Sequence, residues 1–137
     1  MERIFVDTDI CLDLLSGRKP FNSFAEQLFS LSDKKEIEIC VSALSFSTID
    51  YILHAHYAVK NPRQLIAKFK TLVTTLPVES KTIDLAIASD FNDFEDAIQY
   101  NTAIENEITV LITRNIKDYK TAQIKVITAE SYLAKNI

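Results

Sequence analysis

Apolar residues fall along this chain in two rhythms: short runs, and stripes that recur every three or four positions. Ile4-Phe5-Val6, Ile37 to Val41 and Val110-Leu111-Ile112 read as strands, and the unbroken last run is the pattern of a strand buried on both faces of a parallel sheet. Pro77-Val78 reads as a brief third strand and Lys125-Val126-Ile127 as the last. The stripes predict helices between them. Ile10, Leu12, Leu14 and Leu15 follow Asp7-Thr8-Asp9 and stop at Ser16-Gly17, and a second helix runs from Pro20 to about Ser32 on Phe21, Phe24, Ala25, Leu28 and Leu31. Ser42 caps a long helix reaching about Ala58, and Asn61-Pro62 opens another that extends to about Thr74. A helix from Ser80 to about Ser89 follows. Asn92 then caps the next helix, with Glu95 completing a capping box ahead of Ala97, Ile98 and Ile104. Thr128 caps a terminal helix containing Glu130 and Tyr132.

Strands alternating with helices imply a three-layer α/β domain with a parallel sheet and right-handed crossovers. No linker, repeat or low-complexity segment interrupts the order, and 137 residues are most economically one domain, 1-137. A content of 47% hydrophobic and 25% charged residues is that of a globular chain. The sequence lacks an apolar run of membrane-spanning length and a signal-peptide core, so a cytoplasmic protein with no membrane partner is expected. Cys11 and Cys40 lie in apolar surroundings without a CxxC or histidine-rich setting, and read as reduced core residues. The net charge of −4 argues against binding nucleic acid by bulk electrostatics but allows a local basic stripe beside an acidic site. With Gly17 as its one glycine, the chain cannot build a Walker loop or a GxGxxG turn.

The candidate chemistry lies where strands end and helices begin. Asp7 leaves the first strand, Thr113, Asn115 and Asp118 follow the fourth, and Asp93 and Asp96 share one face at a helix start. In an open α/β sheet these places lie on one edge. Glu95 reads as a helix-dipole carboxylate without further function. Thr48 and Asp50 point about 200° apart on their helix and cannot share a site. His54 and His56, two apart on the same helix, are poorly spaced for a common metal. Lys60, Arg63 and Lys70 form a basic face that reads as solvated.

Ile4-Phe5-Val6-Asp7-Thr8-Asp9, Val41-Ser42-Ala43-Leu44, Asp93-Phe94-Glu95-Asp96-Ala97 and Thr113-Arg114-Asn115-Ile116-Lys117-Asp118-Tyr119 together resemble PIN-domain proteins, in the VapC-like bacterial branch. The resemblance spans nearly the whole chain. It implies a five-stranded parallel sheet of order 3-2-1-4-5 flanked by helices. It also implies a Mg²⁺- or Mn²⁺-dependent ribonuclease in which Asp7, Asp96 and Asp118 are catalytic metal ligands; Asp93, one helical turn before Asp96 on the same face, is expected from its position to support them. Hard divalent cations favour such oxygen donors. Thr113, Arg114, Asn115 and Lys117 are the expected substrate contacts, and RNA, an antitoxin protein and a second copy of the chain are the expected partners. Two positions depart from the family pattern. Thr48 stands where a helix Glu is common, and Asp9 where an Asn is common, with a structural role expected for Asp9. The Thr48 departure motivates an alternative, a catalytically weakened PIN domain that binds RNA or a partner protein without cleaving. A haloacid-dehalogenase-like phosphatase using Phe5-Val6-Asp7-Thr8-Asp9 is a weaker match, since Cys11 replaces the usual Thr or Val and no downstream Gly-Asp pair exists.

Overall fold

A computed structural model describes residues 1–135, so the last two residues of the expected 1–137 domain lie outside the described residues. Five strands, β1 (Glu2–Val6), β2 (Ile37–Ser42), β3 (Thr74–Leu76), β4 (Val110–Ile112) and β5 (Lys125–Ile127), form one sheet of order β3-β2-β1-β4-β5. Every neighbouring pair is parallel, with Phe5 aligned to Cys40 on one side and to Leu111 on the other. The helices are α1 (Thr8–Ser16), α2 (Asn22–Asp33), α3 (Ala43–Tyr57), α4 (Pro62–Lys70), α5 (Ser80–Ala88), α6 (Phe94–Glu105) and α7 (Ala129–Lys135), with a 3₁₀ turn at Ile116–Tyr119. The expected three-layer α/β architecture and strand order are therefore observed.

Alternation of side chains along each strand divides the core in two. Ile4, Val6, Ile39, Val41, Val110 and Ile112 face one side, against Ile10 of α1, Leu28 of α2, Ile49 of α3 and Phe69 of α4. Phe5, Cys40 and Leu111 face the other, against Ala103 of α6 and the ring of Tyr119. Both thiols are free and buried, as their surroundings in the sequence imply. Gly17 closes α1 in the left-handed conformation, with φ of 67°. Among the described residues no helix is long and apolar enough to cross a membrane.

Four boundaries differ from the sequence expectation. The third strand is Thr74–Leu76, not Pro77-Val78, because proline lacks the N–H a ladder requires while Thr74 and Thr75 are β-branched. Accordingly α4 ends at Lys70, four residues short of the expected Thr74, and Leu72 is left 44% exposed. Pro20 lies in the turn before α2, which begins at Asn22. The cap of α6 is Asp93, not Asn92: the Asp93 carboxylate accepts the N–H of Asp96 at 2.9 Å.

Candidate active site

The exits of β1 and β4 and the first turn of α6 meet at the carboxyl edge of the sheet. Asp7 continues β1 by donating its backbone N–H to the Ile112 carbonyl at 2.9 Å, then caps α1. Its side chain is buried. One carboxylate oxygen accepts the Thr8 N–H at 2.8 Å, and the other accepts the hydroxyls of Thr113 at 2.9 Å and Tyr119 at 3.0 Å. Burial raises the Asp7 carboxyl above its ordinary range, these hydrogen bonds pull it down, and the Glu95 charge pushes it up again.

Asp96, in the first turn of α6, places an oxygen 3.3 Å from the same Tyr119 hydroxyl. Partial burial and the nearby charges of Asp7, Asp93 and Asp118 push its carboxyl up to about 7. The structure thus brings Asp7 and Asp96 to one phenol oxygen. Asp118 lies exposed on the 3₁₀ turn, close enough to act on Asp96 electrostatically, and lines a cleft of about 280 Å³ with Asp93 and Lys117. Burial and the two carboxylates keep the Tyr119 phenol protonated.

Asp9 ties α1 to the loop after β4. Its Oδ2 accepts the Arg114 N–H at 3.0 Å and, at 3.3 Å each, the Thr113 hydroxyl and the Asn115 side-chain amide. Its Oδ1 is buried without a hydrogen-bond partner among the described residues, and burial together with Asp7 raises the carboxyl to about 7. This is the structural role expected of Asp9, carried out between elements.

The residues expected to touch substrate occupy different settings. Thr113 is fully buried and turned onto Asp7, and the Arg114 guanidinium is held by Asp13 at 2.9 and 3.2 Å and lies over the Phe21 ring at 4.0 Å. Asp13 itself is 1% exposed and also pairs with Arg18. Asn115 and Lys117 are exposed. His54 and His56 are exposed near the end of α3.

Three contributors, Glu95, Gln99 and Tyr119, are given no place at the site by the sequence pattern. Glu95, read there as a dipole carboxylate, is half-buried and accepts the Thr48 hydroxyl at 3.2 Å, joining α6 to α3. Gln99, one turn beyond Asp96, is fully buried: it accepts the Ser42 hydroxyl, and its amide reaches Thr8 at 3.0 Å and Ser45 at 2.9 Å. A polar side chain three residues after Asp96 on an inward face was the available signal for Gln99; Tyr119 and Glu95 carry no such mark.

The donor chemistry at this edge fits a hard divalent cation, since Asp7, Asp96 and Asp118 offer carboxylate oxygens. The spacing is looser: among the described residues no three His, Cys, Asp or Glu side chains are gathered closely enough to hold an ion.

A family model described as PIN domain matches residues 3–117. No curated protein sequence matches the chain. Solved structures with a similar fold include VapBC2 from Rickettsia felis bound to a DNA fragment from its promoter, at 16% identity and TM-score 0.68, covering 91% of this chain and 96% of that one. A toxin-antitoxin complex from Klebsiella pneumoniae is 22% identical at TM-score 0.68, with coverages of 92% and 97%. Mycobacterium tuberculosis VapC20, a sarcin-ricin loop cleaving toxin, is 18% identical at TM-score 0.64, with coverages of 79% and 86%. At these identities the likeness is one of fold.

Proposed function

The chain belongs to the PIN domain family, and from that premise we propose that it is a divalent-cation-dependent ribonuclease acting as the toxin of a toxin-antitoxin pair. The observation that carries the reading is the approach of Asp7 and Asp96, from β1 and α6, to a single hydroxyl at the sheet edge. The fold-level likeness to a sarcin-ricin loop cleaving toxin and to a toxin-antitoxin complex supports RNA as substrate and an antitoxin as partner. Family membership weighs against the dehalogenase-like phosphatase.

In this reading Asp7, Asp96 and Asp118 would hold Mg²⁺ or Mn²⁺. Such an ion supplies an activated water and neutralises charge at the scissile phosphate. The remaining work is positional. Thr113 and the Thr8 N–H fix the Asp7 carboxylate, Asp93 fixes the start of α6, and Arg114 braces the loop after β4 against Asp13, leaving Lys117 as the exposed cation for a phosphate. Glu95, steadied by Thr48, brings to Asp7 a carboxylate that the third helix lacks at Thr48. The same Thr48 favours the second reading, a PIN domain that binds RNA or a partner without cleaving it.

Incubation of the full chain with an RNA hairpin tests the proposal. The expected result is endonucleolytic products in Mg²⁺ or Mn²⁺ and none in excess chelator. Cleavage that persists in chelator refutes the cation-dependent mechanism, and hairpin binding without products in any divalent cation selects the non-cleaving reading.

A further inference from the structure

Tyr119 is the group at this edge that the proposed reaction does not employ. Its side chain is 2% exposed, packed in the layer formed by Phe5, Ala103 and Leu111, with Phe91 edge-on at 5.6 Å between ring centres. The ring cannot leave without opening that layer. At its tip the hydroxyl lies 3.0 Å from Asp7 Oδ2 and 3.3 Å from Asp96 Oδ1.

A phenol has one proton and donates to one acceptor at a time, so the hydroxyl serves two carboxylates in turn. Asp7 Oδ2 already accepts the Thr113 hydroxyl, and Oδ1 accepts the Thr8 N–H. The phenol faces one oxygen of each acid, Asp7 Oδ2 and Asp96 Oδ1, and a cation held by those two oxygens would compete with it. We propose that Tyr119 is a positioning residue whose hydroxyl takes the place of a cation between Asp7 and Asp96, holding the two carboxylates together and competing with the ion for their oxygens. The inference rests on the cation-binding reading above. It makes the protein a weaker binder of divalent ions than its carboxylates alone would be, in exchange for a folded edge that tolerates two close acids before an ion arrives.

Tyr119→Phe keeps the buried ring and removes the competitor, so Mn²⁺ calorimetry on the full chain separates the possibilities. A charge-assisted hydrogen bond lost from the ion-free state corresponds to roughly tenfold tighter Mn²⁺ binding in the variant, with a lower melting temperature in chelator. A residue of merely structural importance would lower the melting temperature without tightening the ion. Equal or weaker Mn²⁺ binding by a folded variant overturns the inference and leaves the nuclease reading standing. If neither protein binds the ion, both fall. Should the variant not fold, Mg²⁺ titration of wild-type protein carrying ¹³C-labelled tyrosine decides the matter: the Tyr119 ring resonance shifts with ion occupancy if the hydroxyl is displaced, and a resonance unmoved at saturation overturns the proposal.

Discussion

Asp96 and Asp9 are carboxyls held up to about 7, against an ordinary 3.8, by burial and by neighbouring acids. Between those values the folded protein binds more protons than the unfolded chain, so these groups contribute stability that is fully present below the unfolded value and lost as pH rises through about 7. The ion-free protein is expected to melt at a higher temperature near about pH 5.5 than near about pH 8, and Asp96→Asn should flatten that dependence; a melting temperature that rises over the interval contradicts the assignment. Arg114 and Lys117 stand close in sequence and differ in commitment. Arg114→Ala strips a bidentate partner from buried Asp13, which keeps Arg18, and should cost about 1–3 kcal/mol in denaturant unfolding. Lys117→Ala should leave stability within about 0.5 kcal/mol and lower the salt slope of RNA binding by about one. At this scale Asp7 and Asp96 were legible because strand ends and helix starts can be read from apolar patterning. The Tyr119 hydroxyl was not, because nothing local tells which side of a buried ring meets a carboxylate from a strand more than a hundred residues away.

The elements meet at the site through α6. Its first turn is fixed by Asp93, so Asp93→Ala should cost about 1 kcal/mol while Asp93→Asn preserves the cap and removes a charge beside Asp96. Deeper in, Gln99 joins α6 to Thr8 at the start of α1 and to Ser42 and Ser45 at the start of α3, setting the distance from Asp96 to Asp7. Gln99→Leu removes three buried hydrogen bonds, leaving the Thr8, Ser42 and Ser45 hydroxyls only one another, and is expected to destabilise by about 1–3 kcal/mol, measured by urea unfolding. The Thr48–Glu95 hydrogen bond forms a second link between α3 and α6. Glu95→Gln should therefore weaken Mn²⁺ binding in calorimetry while Asp50→Asn leaves it nearly unchanged, and the reverse order would discard the role given to Glu95. Most of the helices could be read from their stripes. The third strand and the cap of α6 were misplaced because Pro77 and Asn92 look locally suitable, whereas the ladder with β2 and the Asp96 N–H select Thr74–Leu76 and Asp93.

On the scale of the whole molecule, a parallel sheet with β1 at its centre carries the exits of β1 and β4 to one edge, and the crossover through α6 returns its N-terminus there. The strand order followed from four short motifs in sequence order, while the spacing among the acids did not, because it depends on packing beneath them. That edge is where the proposed chemistry resides, and single-turnover cleavage of an RNA hairpin in Mn²⁺ by wild-type protein and by Asp96→Asn tests it most directly. Asparagine keeps the shape of the side chain and removes its charge, and circular dichroism shows whether the fold is kept. The account predicts that the hairpin is cut by the wild type and that a folded Asp96→Asn variant cuts it at least about a hundredfold more slowly. Equal cleavage by a folded Asp96→Asn protein would contradict it.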